Sequence, residues 1–265
     1  MNWSLITAEL RAQVLELSHR ANAAHLASSL SCLDILAVLY ESVLRFRLGE
    51  PQWEDRDRFI LSKGHAAAAL YAVMARQKIL SDQDLLGYGQ QGSLLEEHPS
   101  PYLTTIEAAT GSLGHGLPIA NGMALGAQIQ QKHFRVFVVM SDGECNEGST
   151  WEAAMFAGRH RMQNLCAVVD FNKWQATGRS TDVLALDPLV DKWRAFGWDA
   201  KEVDGHDHIL LERELNSDLG TRPKILIAHT VKGKGISFME DDNNWHYRIP
   251  TREEIIAARI ELGLT

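Results

Sequence analysis

The stretch RVFVVMSDGECNEG, residues 135–148, decides how this chain folds. Val136-Phe137-Val138-Val139-Met140 is apolar without alternation, the pattern of a strand buried on both faces of a helix-covered parallel sheet. It runs into Ser141-Asp142-Gly143 and then directly toward a helix predicted over residues 147–161. A second such strand, LCAVVDF at residues 165–171, ends in Asn172-Lys173-Trp174-Gln175. Thirty residues separate Asp142 from Asn172. One strand–helix–strand crossover fits that interval and sets the two strand tips side by side, where open α/β sheets bind ligands.

Outward from this pair, short β-branched runs alternate with amphipathic stretches. Further strands are predicted at residues 58–62, 200–204 and 224–230. Helices are predicted over 5–22, 32–44, 64–77, 114–132, 187–196, 208–216 and 253–262. Residues 88–112 read as a long loop, and a loop of that length in a compact domain usually has a function. The fold class is therefore α/β, a doubly wound, mostly parallel sheet of about five strands flanked by helices, filling residues 1–265 as a single domain.

The 265 residues are 45% hydrophobic and 23% charged, which excludes disordered and fibrous classes. A formal net charge of −8 argues against a nucleic acid or an anionic membrane as the main partner. Cys32, Cys145 and Cys166 form no C-x-x-C pair, which suits a reducing, cytoplasmic setting. The first residues carry neither a basic nor an apolar leader region, and no run reads as a membrane span.

Glycines at the turn after Met140 leave backbone N–H groups free at a helix start, a site for phosphate or diphosphate. The G-x-G-x-x-G and G-K-[ST] fingerprints are absent, so a dinucleotide fold or P-loop is disfavoured. Asp142 beside a phosphate sets two anions together, and a hard divalent cation such as Mg²⁺ between them resolves the conflict. Asn172 offers a neutral amide oxygen and the turn beyond it, at Trp174, a carbonyl. The plain alternative is a capped turn; the spacing to Asn172 favours the metal–phosphate reading.

Asp142-Gly143 with Asn172 thirty residues on resembles the thiamine diphosphate motif of transketolases, written G-D-G and then N-N. The resemblance is to that family's N-terminal, diphosphate-binding domain and spans about residues 21–249. Its pieces, in order, are Ala24-His25-Leu26-Ala27, Leu61-Ser62-Lys63-Gly64-His65-Ala66, Glu97-His98-Pro99, residues 110–116 (TGSLGHG) and residues 142–148. Asp204-Gly205-His206-Asp207, Lys232-Gly233-Lys234-Gly235 and His246 complete it. Ser141, Phe171, Lys173, Trp174, Leu26 and His115 depart from the usual residues, while the ligand positions survive.

The resemblance implies thiamine diphosphate and Mg²⁺, or another divalent cation such as Ca²⁺ or Mn²⁺. The metal would be held by Asp142, Asn172 and the Trp174 carbonyl. His65, Gly111, Ser112, Leu113, His115, Gly143, Glu144 and Asn172 would contact the cofactor. His25, His98 and His246 would be catalytic, because adding a two-carbon unit to a carbonyl moves protons near neutral pH, where imidazole titrates without help. Glu147 would sit at a subunit contact. His19, His133, His160, His208 and His229 read as structural, and His206 lies between the two readings. Cys145 has no base beside it in sequence and reads as a bystander; Trp151, Trp193 and Trp198 read as packing.

The implied activity is transfer of a two-carbon ketol unit from a ketose, or ketose phosphate, to an aldose. In the family, the glutamate that activates the cofactor's pyrimidine lies in a second domain. The resemblance thus implies a partner, a C-terminal transketolase subunit bringing the pyrimidine-binding and C-terminal domains, in an α2β2 heterotetramer active only when assembled. Rival readings are the α subunit of a 2-oxo acid dehydrogenase, a transketolase-like half-enzyme of secondary or branched-sugar metabolism, and a non-catalytic scaffold. A plain NAD-binding domain comes last.

Overall fold

The computed structural model describes residues 1–217 and 220–264. Five parallel strands form one sheet: β1 (Arg58–Leu61), β2 (Val136–Ser141), β3 (Leu165–Phe171), β4 (Asp199–Asp204) and β5 (Lys224–His229). Their spatial order is β1-β2-β3-β5-β4. Every residue of β2 and β3 is buried, as their unbroken apolar runs require. β4, at an edge, carries Asp199, Glu202 and Asp204 exposed among buried Ala200 and Val203. The predicted strand ends agree with the structure to within one residue.

The helices are α1 (Trp3–Ala21), α2 (Leu26–Val38), α3 (Ala67–Arg76), α4 (Asp82–Leu86), α5 (Gly116–Ile129), α6 (Gly148–Arg159), α7 (Ser180–Val183), α8 (Leu189–Ala195), α9 (His208–Asn216) and α10 (Arg252–Glu261). Successive strand residues point to opposite faces, so two cores form. Phe137, Val139, Cys166, Val168 and Leu226 face α1, α2, α3 and α9. Val136, Val138, Met140, Leu165 and Val169 face α5, α6 and α8. Trp193 and Trp198 lie in this second core, and Trp151 packs against it, as their packing reading requires. Residues 88–112 are irregular throughout.

The short helices α4 and α7 are not predicted, and one predicted helix starts elsewhere. α2 begins at Leu26, not near residue 32. Ser28, Ser29 and Ser31 compete with the helix backbone for hydrogen bonds and lower its local propensity. Burial of all thirteen residues of α2 outweighs that. A π-turn at Leu39–Val43 continues it, closed by Leu44 N–H donating to the Leu39 carbonyl at 2.8 Å. Leu26–Val43 is thus long and apolar enough, by composition, to cross a membrane, although no run reads as a span in the sequence. The window is 89% buried within the protein, the condition of a central core helix.

Candidate active site

The β2–β3 register pairs Ser141 with Asp170, so the turns at Asp142 and Asn172 leave the sheet side by side. The Asp142 carboxylate is wholly buried. It accepts from the N–H groups of Gly143 (2.9 Å) and Lys173 (3.0 Å) and from Ser180 Oγ (2.7 Å). Asn172 Oδ1 accepts from Trp174 N–H (3.0 Å), and its Nδ2 donates to Ser31 Oγ (3.2 Å), which fixes the orientation of the amide. Both strand tips are therefore tied to one loop, residues 172–180. Asp142 Oδ1 and Asn172 Oδ1 each keep a lone pair.

Burial, only partly offset by the Ser180 hydroxyl, pushes the Asp142 carboxyl up to about 6. A cation beside it would reverse that shift. Among the described residues no group of three or more His, Cys, Asp or Glu is placed to hold a metal. A cation here would therefore rely on amide and carbonyl oxygens as well as Asp142. A Cβ on Gly143 would meet only the Gln175 side chain, at 3.6 Å, so protein packing leaves this turn open. Gln175 Nε2 is buried there without a partner, an unspent donor of the kind an anion would take up.

Beneath these tips lies a fully buried ion pair, Lys63 with Asp170. Asp170 also accepts from Ser31 Oγ (2.6 Å) and Thr230 Oγ1. Burial works against the Lys63 charge, and the Asp170 carboxylate more than reverses it, holding the ammonium above its ordinary value. The Glu144 carboxylate is also buried and accepts from Gly114 N–H (2.9 Å), Ser141 N–H (3.0 Å) and Ser62 Oγ. The side chain of Glu144, expected to contact the cofactor, is committed to protein donors and ties the walls of the site together.

The histidines from distant parts of the chain converge. His25 caps α2 with φ 66°, in the left-handed region, and its N–H donates to the His246 carbonyl at 2.8 Å. Its ring centroid lies 5.3 Å from His65, 6.3 Å from His98 and 5.0 Å from His246. Tyr247, exposed, borders the same cluster at 6.1 Å from His25. Gly111, at φ 148°, lies against His98, where a Cβ would come within 2.9 Å of Cδ2. Ser112 and His115 are exposed and Leu113 half-buried on the segment leading into α5, and Glu147 is exposed just before α6.

Three of these imidazoles, His25, His65 and His246, do not titrate near neutrality. Burial first, then neighbouring His98 and Lys232, lowers His25 to about 4. Burial and Lys232 lower His246 to about 3, and burial with Lys63 takes His65 well below its ordinary value. The expectation of unaided titration is corrected: clustered beside two lysines, all three rings are neutral at pH 7. The unfolded chain protonates them near pH 6.5, and the folded chain does so only far lower. The unfolded state thus binds more protons in that window, and stability falls as pH drops from 6.5 toward 4. Asp142, raised from 3.8, works in the opposite direction, one group against three. Thermal unfolding followed by circular dichroism should show Tm falling, on the order of 5 °C, across this range, and His246→Asn should shrink the fall. A flat or rising Tm would contradict it.

Sequence reasoning missed Lys63, Asp170, Gln175, Ser180 and Lys232. Lys63 and Lys232 stand inside family-like motifs, each a lysine in a small-residue turn at a strand end, and that was the available signal. His206 proves structural: Nδ1 donates to Asp34 (2.6 Å) and Nε2 accepts from Val231 N–H (2.9 Å). His208 (2.9 Å) and Arg11 (2.6 Å) also bond Asp34. Burial opposes the Asp34 charge; the bonds from His206 and His208 overcome it and hold its carboxyl well below the usual carboxylate range. His19 bonds the Pro250 carbonyl at 2.7 Å. Cys145 is buried, and burial pushes its thiol well up, away from the thiolate a nucleophile needs. The Trp174 side chain turns outward, Nε1 donating to Asp241 (2.7 Å) with the Arg179 guanidinium 3.8 Å above its ring.

Residues 4–265 match the family described as "Transketolase, thiamine diphosphate binding domain". The chain is 39% identical over 255 residues to an apulose-4-phosphate transketolase subunit of Phocaeicola vulgatus, covering 96% of this chain and 91% of that one. It is 38% identical over 256 residues to a 6-deoxy-6-sulfo-D-fructose transketolase subunit of Clostridium sp. strain MSTE9, covering 96% and 93%. Its fold matches the solved transketolase of Campylobacter jejuni with TM-score 0.93 at 28% identity, covering all of this chain and 43% of that one. The Leishmania mexicana transketolase matches with TM-score 0.92 at 26% identity, covering 42% of that chain. The chain thus spans about two fifths of the solved transketolases and nearly the full length of the two subunits.

Proposed function

The chain belongs to the transketolase family, as its thiamine diphosphate-binding domain, and from that premise we propose that it is the diphosphate-side subunit of a two-chain transketolase. The observation that carries this reading is the convergence of Asp142 and Asn172, tied to one loop at adjacent strand tips, with a cluster of His25, His65, His98 and His246. Residues 1–265 act as one diphosphate-binding domain. Bound thiamine diphosphate supplies the nucleophilic carbon that accepts and hands on the two-carbon unit. The open lone pairs at Asp142 and Asn172, with the Trp174 carbonyl, suit Mg²⁺, and Gln175 Nε2 and His65 suit the cofactor's anionic end. Gly111, Ser112 and Leu113 lie along the cofactor, Gly111 leaving room for the His98 ring. His25, His98 and His246 orient the sugar's carbonyl and hydroxyls through ring hydrogen bonds.

Two relatives of nearly the same length are named as transketolase subunits, which supports a second chain. That chain brings the pyrimidine-binding domain and the activating glutamate, in an α2β2 assembly. Exposed Met155 and Phe156 on α6, close in sequence to Glu147, suit a subunit contact. Three free, buried cysteines suit a reducing cytoplasm. The relatives' names carry a sugar phosphate and a sulfo-sugar, so we take a ketose with a terminal anionic group as donor. The 2-oxo acid dehydrogenase reading is not favoured, because the matches are to transketolases.

The test combines the chain with its co-purifying partner, thiamine diphosphate, Mg²⁺, a ketose phosphate and a panel of aldoses. Transfer is expected only when both chains are present. Transfer by this chain alone would overturn the two-chain reading, and decarboxylation of pyruvate in place of transfer would overturn the reaction.

A further inference from the structure

Lys232 is one of the most deeply buried side chains described, at 1% exposure, yet among the described residues it hydrogen-bonds no carboxylate. Its Nζ bonds Asn243 Oδ1 at 2.6 Å and His246 Nδ1 at 3.0 Å. The backbone aims it there from several sides. The Lys232 carbonyl accepts from Asp241 N–H (2.8 Å), and Gly233 N–H donates to the Ala27 carbonyl (3.0 Å). Gly233 stands at φ 78°, and a Cβ there would come within 2.3 Å of the Met239 carbonyl oxygen. One residue earlier, Val231 N–H is held by His206 Nε2, itself fixed to Asp34. Opposite, His246 is anchored through its carbonyl to His25 N–H. Neither end of the Lys232–His246 contact is free to drift.

A neutral imidazole has one donor and one acceptor nitrogen, whereas an ammonium only donates. Nδ1 facing an ammonium must therefore be the acceptor, and the proton must sit on Nε2. We infer that Lys232 is a positioning residue that fixes His246 as its Nε2–H tautomer, so that His246 offers a hydrogen-bond donor to the oxygen of a substrate. Burial and nearby Lys63 lower Lys232 to about 8, which leaves the ammonium predominant at neutral pH. Asn243 Oδ1 takes up a second ammonium proton, so the lysine is compensated by two neutral acceptors. This assignment of purpose rests on reading the histidine cluster as the two-carbon transfer site; the tautomer itself does not.

The test reads the tautomer directly. In the full chain labelled with ¹⁵N-histidine, long-range ¹H–¹⁵N correlation at pH 7 is expected to show His246 with unprotonated Nδ1 and protonated Nε2. His246→Gln identifies its signals by their loss. Lys232→Met should shift the ring toward Nδ1–H or a mixture, and Lys232→Arg, which keeps a donor, should restore the native pattern. A native ring protonated at Nδ1, or one unmoved by Lys232→Met, overturns the assignment. Should Lys232→Met fail to fold, the native and Arg spectra still decide. With the partner and saturating cofactor, Lys232→Met should lower kcat/KM for the ketose donor by about 10- to 100-fold, the range for residues that orient a working group. Because the spectra need neither cofactor nor partner, failure of the transfer reading leaves them interpretable.

Discussion

Replacing Asp142 by asparagine is expected to abolish Mg²⁺-dependent binding of thiamine diphosphate while leaving the cofactor-free chain folded. The two halves of that result come from one fact. Asp142 is a wholly buried carboxylate whose ionised form is unfavourable enough to push it up to about 6. Asparagine keeps an oxygen to accept from Lys173 N–H and Ser180 Oγ but removes the charge. The free chain therefore loses the bond from Gly143 N–H but escapes the cost of burying an anion, so its Tm should change little. The loaded site loses its negatively charged ligand. Residues one shell further from a metal already cost about 10–100-fold in affinity, so the ligand itself should cost on the order of 100-fold or more. Titration of cofactor into the assembled protein, with Mg²⁺ and with a chelator, measures both states. An unchanged Mg²⁺-dependent affinity would remove Asp142 from the metal site. A large fall in Tm would mean that the carboxylate is structural.

Strands whose burial is complete announce themselves, because every side chain must be apolar; that is why β2 and β3 and their tips could be read from the sequence. From the spacing of those tips the position of Asp142 beside Asn172 followed. The start of α2 was less legible. A helix buried on every side has no polar stripe, and its serines read as loop residues until Asp170 is seen to accept from Ser31. The same blindness hid the polar interior. Lys63, Asp170 and Lys232 are charged residues that sequence patterning assigns to the surface, and only their partners, up to 139 positions away, make them tolerable inside. Histidine identity was legible, but protonation was not: the shifts of His25 and His246 arise from burial and from Lys232, none of which a local window contains. Glu144 shows the converse case, in which a carboxylate inside a legible motif turns its side chain inward to bind Ser62, Gly114 and Ser141.

The largest loss of stability is expected from Asp170→Ala, at about 3–5 kcal/mol, because it strands the ammonium of Lys63 in the interior. Both side chains are fully excluded from water, and the other acceptors for Lys63 among the described residues are neutral, the Ser28 carbonyl at 2.9 Å and Ser31 Oγ at 3.5 Å. A neutral carbonyl cannot replace a carboxylate as the counter-charge. The variant must therefore shed the Lys63 proton or open the sheet between β3 and α2. Lys63→Met alone leaves Asp170 with hydroxyl donors from Ser31 and Thr230, so it should cost less than Asp170→Ala. Removing both charges, as Lys63→Met with Asp170→Leu, takes away the uncompensated ion as well as the pair, and apolar replacement of a buried pair is often near neutral. Equilibrium unfolding in urea of the two single variants, Lys63→Met and Asp170→Leu, and of the double variant closes the cycle. The double variant should lie well above the sum of its parts, by about 1 kcal/mol or more, as coupled buried charges do. Simple additivity would mean that each side chain acts through packing alone. The pair holds Asn172 as well as the core, since Ser31 Oγ both donates to Asp170 and accepts from Asn172 Nδ2. The double variant should therefore fold yet bind thiamine diphosphate and Mg²⁺ more weakly than the native chain, separating what the ion pair does for the sheet from what it does for the site at the sheet's edge.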